Sequence, residues 1–542
     1  MTMSGDNTHN TEAFDNKVRC ISKAIQTRLS PTEIFQGLNH QDQLSNAILL
    51  ESSEIESKNN LSSILMLKAS VRIVCQKNVV RLVATNQNGI NALQQIKQAV
   101  LSSNKLDIAQ QHTAETLEIT IRQNDQSQDE YARLSAATPL EVLRLIHQLF
   151  EVDSGNLYGN FLCGVFAFDF IASYEKLPEV ENGQNTCPDY VFYLAETLLV
   201  FDHTRQTQRL YSNCFPASGS TQTYHDLARE LESLEQRIHQ LSQNPLSNTD
   251  LSLANQNKIH PEFPVSVDIN DNEYIHQVNQ LKQNIIDGDV FQVVPSRTFT
   301  IDCQDPLHSY SILKHTNPSP YLFYLRDQDF TLFGASPETA LKYEAKNRQV
   351  QLYPIAGTSV RGKNSNGEIN PDLDGKLEAE LKLNEKEIAE HMMLVDLARN
   401  DIAKISMPGT TRATKLLSVD RYSQVMHLVS QVQGRLRDEL DAFHAYQSCM
   451  NMGTLTGAPK IRATELIREM EGKRRGSYGG AVGYINSLGD MDTCIVIRSA
   501  FCQNGKAHVQ AGAGIVYDSD PQSEAQETSN KAKAVLNAIT YS

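Results

Sequence analysis

Tryptophan is absent from the 542 residues, and no run of 18 apolar residues occurs. The second absence predicts no membrane-spanning helix. The opening MTMSGDNTHN lacks the basic and apolar regions of a secretory leader, so none is expected. Cysteines number nine, at 20, 75, 163, 187, 214, 303, 449, 494 and 502, and form no CxxC pair. An odd count without metal-type spacing fits free thiols in a reducing cytoplasm. Positive charge is short: 49 Lys and Arg stand against 64 Asp and Glu, a formal net charge of -15. That balance argues against nucleic acid as a partner. GTLTGAPK is not a GxxxxGK[ST] phosphate loop, and neither GxSxG nor HExxH is present.

A chain of this length exceeds one ordinary core, so two parts are expected. Residues 1–30 are polar and read as a flexible N-terminus, and 31–243 as an N-terminal region. Residues 244–264, rich in Ser, Asn, Gln and Pro, read as a linker, and 265–542 as a catalytic region. Strands are expected at 47–51, 62–67, 71–74, 79–84, 161–168, 190–202 and 209–214, and helices at 139–150 and 224–243. After a helix at 271–287 and a strand at 290–300, strands at 321–326, 331–335 and 349–354 precede helices at 384–402, 442–450 and 460–471. Strands at 479–486, 494–503 and 506–511 lead into a last helix ending near 539. Long antiparallel strands followed by helix pairs predict an α+β fold of large antiparallel sheets with flanking helices, in two parts, and not a doubly wound sheet.

Two Glu-x-x-Glu pairs, Glu387 with Glu390 and Glu524 with Glu527, each put two carboxylates on one helix face. Such pairs suit the protein's share of a Mg²⁺ shell. They equally suit first-turn acids facing a helix dipole, with Asn384 and Glu387 as a capping box. Gly512, Ala513 and Gly514 form a small-residue turn after a strand, either a terminator or a bare set of N–H donors. Arg498 in CIVIRSA needs a partner, inside the fold or on a ligand. His427 in RYSQVMHLVSQV is either a hydrogen-bonded core residue or a proton-transfer group.

Taken together, QLYPIAGTSVRG (351–362), QAGAGIVYDSDPQSEAQET (510–528), IAEHMMLVDLARND, RRGSYGG, CIVIRSA and RYSQVMHLVSQV resemble the active site of the chorismate-utilising enzymes, on the branch of anthranilate synthase component I. The likeness is nearly unbroken from about Pro320 to Ala538 and weaker before that. It implies a lyase that turns chorismate and ammonia into anthranilate and pyruvate, the first step from chorismate to tryptophan. It implies Mg²⁺ on Glu390 and Glu527. Arg498, Tyr478 and the turn at Gly512, Ala513 and Gly514 then hold the enolpyruvyl carboxylate, and Gly357 and Thr358 the ring end. His427 is implied beside the departing ring hydroxyl as proton donor or orienting group, with Thr454 nearby and Glu338 as a second proton-transfer candidate.

Two positions separate this chain from relatives. Aminodeoxychorismate synthases commonly carry a nucleophilic lysine where PIAGT has Ala356. Isochorismate and salicylate synthases carry a water-activating lysine where VFQVVPSR has Gln292. Both point to ammonia as the direct attacker. The alternatives are aminodeoxychorismate synthase, an enzyme that stops at 2-amino-2-deoxyisochorismate, or a catalytically silent tryptophan sensor. No cysteine sits in a Gly-x-Cys-x-Gly elbow, so the resemblance implies a separate glutamine amidotransferase subunit, in a tetramer of two large and two small chains. AILLESSEI (47–55) and NPSPYLFYL (317–325) resemble the two segments that bind tryptophan as feedback inhibitor. They put Leu50, Glu51, Ser52, Pro320, Tyr321 and Leu322 at that site, with Leu322 where relatives often have Met.

Overall fold

The structure is a computed structural model describing residues 17–42, 44–53, 60–109, 112–122, 134, 136–153, 155–217, 220–243, 264–364, 367–422 and 425–542. The linker expected at 244–264 lies outside these except for its last residue. Among the described residues, 23 strands join one hydrogen-bonded sheet, overwhelmingly antiparallel. The α+β expectation holds.

The alternation of apolar residues decides which faces are buried. Asn60–Gln76 pairs with Ala47–Ser53, Val79–Ala84 and Tyr190–Asp202. The hairpin expected from 190 to 214 forms between Tyr190–Asp202 and Thr207–Cys214. One apolar cluster is built almost wholly of strand residues, among them Ile48, Met66, Leu198, Phe323, Leu332 and Phe501. Helices cover the remaining faces. Gln87–Leu101, Leu140–Leu149, Glu385–Ile405 and Ala442–Cys449 share a second cluster. Pro31–Asp42, Ser220–Gln243, Pro306–Thr316 and Pro521–Thr540 share a third. Strands from before residue 244 and after 264 interleave. Ala47–Ser53 pairs with Tyr321–Arg326, and Leu162–Phe166 with Ala481–Ile485.

Several boundaries differ from expectation, each for a local reason. Residues 17–25, expected to be loose, form the strand Lys17–Ile25, paired with Thr207–Cys214. The strands expected at 62–67 and 71–74 are one strand. Its ladder to Tyr190–Asp202 shifts register three times between Met66 and Val71, so bulges replace the expected gap. The strand expected at 161–168 spans only Leu162–Phe166 and gives way to a 3-10 turn at Phe168–Ser173. The strand expected at 290–300 is interrupted at Pro295, which has no N–H for a ladder. Gln292–Val293 pairs with Gly457–Ala458, and Ser296–Asp302 with Lys506–Gly512. The strand expected at 494–503 is broken between Ile495 and Ser499. No helix among the described residues is long and apolar enough to cross a membrane.

Candidate active site

Two helix starts carry the four carboxylates. Asn384 caps Glu385–Ile405 by accepting from the N–H groups of Lys386 and Glu387. The Glu387 side chain is left for the cleft, where it lies near Gly357. Pro521 opens Pro521–Thr540 and Asp520 accepts from Ser523 N–H. The two starts face each other closely enough to interact. Burial pushes the Glu390 carboxyl above its usual range, Lys386 opposes this, and Glu387, Glu524 and Glu527 add to it. Burial likewise raises Glu524, with Glu527 adding to it. Lys531 is shared between Glu527 at 2.5 Å and the Gly512 carbonyl at 3.0 Å. Lys386 lies 3.8 Å from Glu390.

This donor set fits a hard divalent cation: several carboxylates, mutually repelling, from two rigid helices. No group of three or more His, Cys, Asp or Glu among the described residues is arranged to hold a metal alone. Substrate oxygens and water would have to complete the shell.

Gly357 is the bulge between Ile355–Val360 and Val425–Arg435, with φ +82°. A Cβ there would come within 3.0 Å of Leu428 and 3.3 Å of the Glu387 carboxylate. The bulge carries Thr358 to 3.0 Å from His427 Nδ1, and the Gly357 carbonyl lies 3.3 Å from the same nitrogen. A carbonyl only accepts, so Nδ1 carries the proton and Nε2 is bare in the neutral ring. Burial, then Arg498, pull the imidazole down to about 4. His427 is thus neutral near pH 7, and of its two expected roles the geometry supports orienting, not proton donation. Tyr422 packs edge-on against its ring at 5.3 Å.

Glu338 has the opposite bias. Burial pushes its carboxyl up to about 8, against a hydrogen bond from Thr454 at 2.9 Å and the charges of Arg498 and Lys531. It is protonated at neutral pH, as a proton donor must be.

Arg498 sits at the strand break with φ +49°, a left-handed backbone uncommon outside glycine. Its guanidinium makes no hydrogen bond or ion pair within the described residues, so of the two partners the sequence allowed, inside the fold or on a ligand, the first is absent among them. Burial pulls it below its usual value, while Tyr478, Glu527 and Glu338 pull the other way. Burial raises the Tyr478 phenol to about 12. A Cβ on Gly512 would lie 3.2 Å from its hydroxyl.

The turn departs from expectation at one donor. Ala513 N–H is committed to the Pro295 carbonyl at 3.2 Å. Gly514 N–H has no partner among the described residues, and a Cβ there would lie 3.1 Å from the Gln292 amide. Glu338, Thr454, His427, Thr358, Arg498, Tyr478, Gln292 and the two carboxylate pairs are therefore linked, contact by contact, into one neighbourhood, the candidate cleft.

Away from the cleft, the two segments expected to bind the inhibitor are adjacent strands. Ser52 opposes Tyr321, Glu51 opposes Leu322 and Leu50 opposes Phe323. Alternation splits the six residues between faces. Leu50, Ser52 and Tyr321 share one face, and Ser52 Oγ lies 3.0 Å from Ser62 Oγ. Glu51 and Leu322 point to the other, where Glu51 binds Lys314 at 2.7 Å and Tyr310 at 2.6 Å. Pro320 directly precedes the strand and is buried. Tyr321 hydroxyl donates to Asp492 at 3.0 Å and accepts from Thr339 at 3.2 Å.

Sequence reasoning missed Lys531, although its place four residues after Glu527 was a usable signal. It also missed Arg475, which carries the same signal, four residues after Glu471. Arg475 is buried, paired with Glu471 at 2.5 Å, and stacks on Tyr478 at 5.7 Å while donating to the Leu455 carbonyl at 2.9 Å.

Known proteins are similar to this chain in sequence and fold. The chorismate binding enzyme family matches residues 93–537. Anthranilate synthase component 1 of Vibrio parahaemolyticus is 50% identical over 523 residues, covering 96% of this chain and 93% of that protein. Its Escherichia coli K12 counterpart is 44% identical over 512 residues, covering 94% and 95%. Anthranilate synthase component I of Streptococcus pneumoniae superposes with TM-score 0.62 at 30% identity, over 88% of this chain and 92% of that one. The menaquinone-specific isochorismate synthase of Escherichia coli, at 16% identity and TM-score 0.60 over 96% and 94% of the two chains, shares the fold. With the matched residues spanning both carboxylate helices, the bulge at Gly357 and the Arg498 break, this chain is an enzyme that belongs to the chorismate-binding family and, within it, to the anthranilate synthase component 1 proteins.

Proposed function

We propose that this enzyme converts chorismate and ammonia to anthranilate, pyruvate and water, the entry to tryptophan from chorismate. The observation that carries the reading is Arg498, a guanidinium unpaired among the described residues, beside Tyr478 and near a protonated Glu338. A buried cation without a protein partner is stabilised by an anionic ligand.

Arg498 and Tyr478 take the enolpyruvyl carboxylate, with Gly514 N–H as a further donor. Mg²⁺, when bound by Glu390 and Glu527, supplies positive charge at the ring carboxylate. Thr358 and neutral His427 orient the ring hydroxyl. Ammonia bonds to C2 while the C4–O bond breaks, and Glu338 gives its proton to the departing oxygen, which leaves as water. Loss of the C2 proton and cleavage of the C3–O bond then release pyruvate and leave the aromatic ring. Gln292 is a neutral amide and does not activate water. Ala356 offers no nucleophile, which separates this site from one that forms an aminated adduct through lysine.

Ammonia in the cell would come from a glutamine amidotransferase subunit, in a tetramer of two large and two small chains in the cytoplasm. Tryptophan would bind on the face of Leu50, Ser52 and Tyr321, with Pro320 at its edge, and weaken chorismate binding. Incubation of the pure chain with chorismate, MgCl2 and ammonium, followed by product identification, tests the reading. Anthranilate with an equal amount of pyruvate is expected. Accumulation of an aminated product that keeps the enolpyruvyl group, or of isochorismate, overturns it. Glutamine should be unused until the amidotransferase subunit is added.

A further inference from the structure

We propose that Arg297, a residue outside the cleft, is the positioning residue that holds the Glu524 and Glu527 carboxylates in their working orientation. The proposal rests on the reading of Glu527 as a metal-binding carboxylate.

Arg297 is among the most deeply buried large side chains, at 1% exposure. A guanidinium has five N–H donors in a fixed fork, and here the whole fork is engaged. Nε donates to Thr528 Oγ1 at 2.8 Å, and Nη2 donates to the Ala525 carbonyl at 2.8 Å and Ser529 Oγ at 3.1 Å. Nη1 donates to Asp271 at 2.6 Å and the Ile269 carbonyl at 3.3 Å. Its flat faces meet Tyr274 and Phe299, each with a ring centroid 5.2 Å away. Three of the acceptors, Ala525, Thr528 and Ser529, bracket Glu527. Thr528 also donates its own hydroxyl hydrogen to the Ala525 carbonyl at 2.8 Å, so this grip is a closed network.

The position of the grip gives it meaning. Glu524, Glu527 and Lys531 recur at helical spacing and face the cleft, while Ala525, Thr528 and Ala532 form the buried side of Pro521–Thr540. Arg297 holds the buried side at the level of the carboxylates. A rotation of about 20° about the helix axis moves a carboxylate carried about 6 Å out by about 2 Å. That exceeds the roughly 0.5 Å tolerance of a working constellation. Burial of a charge is also a poor way simply to fill this space. The one carboxylate it meets, Asp271, has a side chain 74% exposed, so the other four bonds go to neutral carbonyls and hydroxyls. What an apolar side chain of the same volume cannot supply is a rigid fork across 525–529.

The test uses Mn²⁺ as a spin-visible divalent probe, titrated into the full chain in the presence of chorismate without ammonia and read by electron paramagnetic resonance. Wild type should bind Mn²⁺, and Glu527→Gln should lose most of that binding. Arg297→Lys keeps the charge but loses the fork, and should weaken Mn²⁺ by about 10–100-fold, the usual effect of removing a group that orients a ligand. Its KM for chorismate at saturating Mg²⁺ should change far less. Thr528→Val, isosteric and lacking the acceptor, should weaken Mn²⁺ in the same direction, and carries the test if Arg297→Lys does not fold. Wild-type Mn²⁺ affinity in a folded Arg297→Lys, or in Thr528→Val, overturns the proposal while leaving the metal reading intact. Undiminished Mn²⁺ binding in Glu527→Gln instead overturns the metal reading, and this proposal with it.

Discussion

The cleft and the ladder between Ala47–Ser53 and Tyr321–Arg326 face the same physical problem and answer it differently. Each buries charge. In the ladder, the Glu51 carboxylate is closed off by Lys314, Tyr310 and, at 3.4 Å, Thr32. In the cleft, Arg498 has no hydrogen-bond or ion-pair partner among the described residues, and Glu338 is kept protonated by burial, its carboxyl bonded among them only to a threonine. A charge satisfied inside the fold is structural. A charge left unsatisfied at a strained backbone position is stabilised only when a ligand arrives.

Removing the unpaired charge is the strongest way to break that contrast. Arg498→Ala should lower kcat/KM for chorismate by on the order of 10³-fold, typical of losing one side of a desolvated charge pair. Its thermal stability should be unchanged or improved, because no internal bond is lost. A drop in melting temperature with near-normal kcat/KM would make Arg498 structural after all.

Glu338→Gln keeps the size and the Thr454 contact but has no acidic proton, and should lower kcat by about 10²–10³-fold. The sign of the pH effect follows from the raised carboxyl. The acid form is present below about 8 and is lost as pH rises through that value. At fixed free ammonia, wild-type kcat should therefore fall on the alkaline side, and the variant should lack that limb. A wild-type profile flat from pH 6 to 9.5 would remove Glu338 from proton transfer.

On the ladder, Ser52→Phe fills the face shared with Tyr321 without touching the cleft. It should leave kcat near wild type and abolish inhibition by tryptophan, a coupling expected at about 1–3 kcal/mol. Because the chain has no tryptophan of its own, ligand fluorescence reports binding directly. Inhibition retained at the wild-type concentration would move the inhibitor elsewhere.

The smallest effect on catalysis belongs to Lys314→Met. It strips the Glu51 carboxylate of its cation and should lower stability by about 1–3 kcal/mol, read by denaturant unfolding, with kcat unchanged. A large kcat loss at unchanged stability would erase the distinction between the two regions.

Legibility in the sequence followed the range of the interactions. Helices such as Lys460–Glu471 and strands such as Tyr321–Arg326 were readable because their apolar period is local. The cleft residues were readable as motifs because each is embedded in a distinctive short segment. What could not be read were effects of distant partners. Pro295 and the bulges near Lys68 divide or join strands according to their neighbours across the sheet. The break at Arg498 puts a charged residue at left-handed φ inside what reads as an unbroken apolar run. Ala513 loses its N–H to Pro295, more than 200 positions earlier. Arg297 reads as an ordinary strand residue until Thr528, 231 positions away, is found against it.

The interleaved sheet also dictates an order of events in time. Gly164 and its ladder partner Gly483 are roughly 300 residues apart. At about 5–20 residues per second, a ribosome takes roughly 15–60 s to deliver the second after the first. Through that interval Leu162–Phe166, and until residues 321–326 are made Ala47–Ser53 as well, presents an open, apolar strand edge, the template on which nascent chains stick to one another. The first half therefore needs shelter during synthesis, and a chain stopped near residue 243 should collect in aggregates that a separately made second half, supplied during folding, rescues.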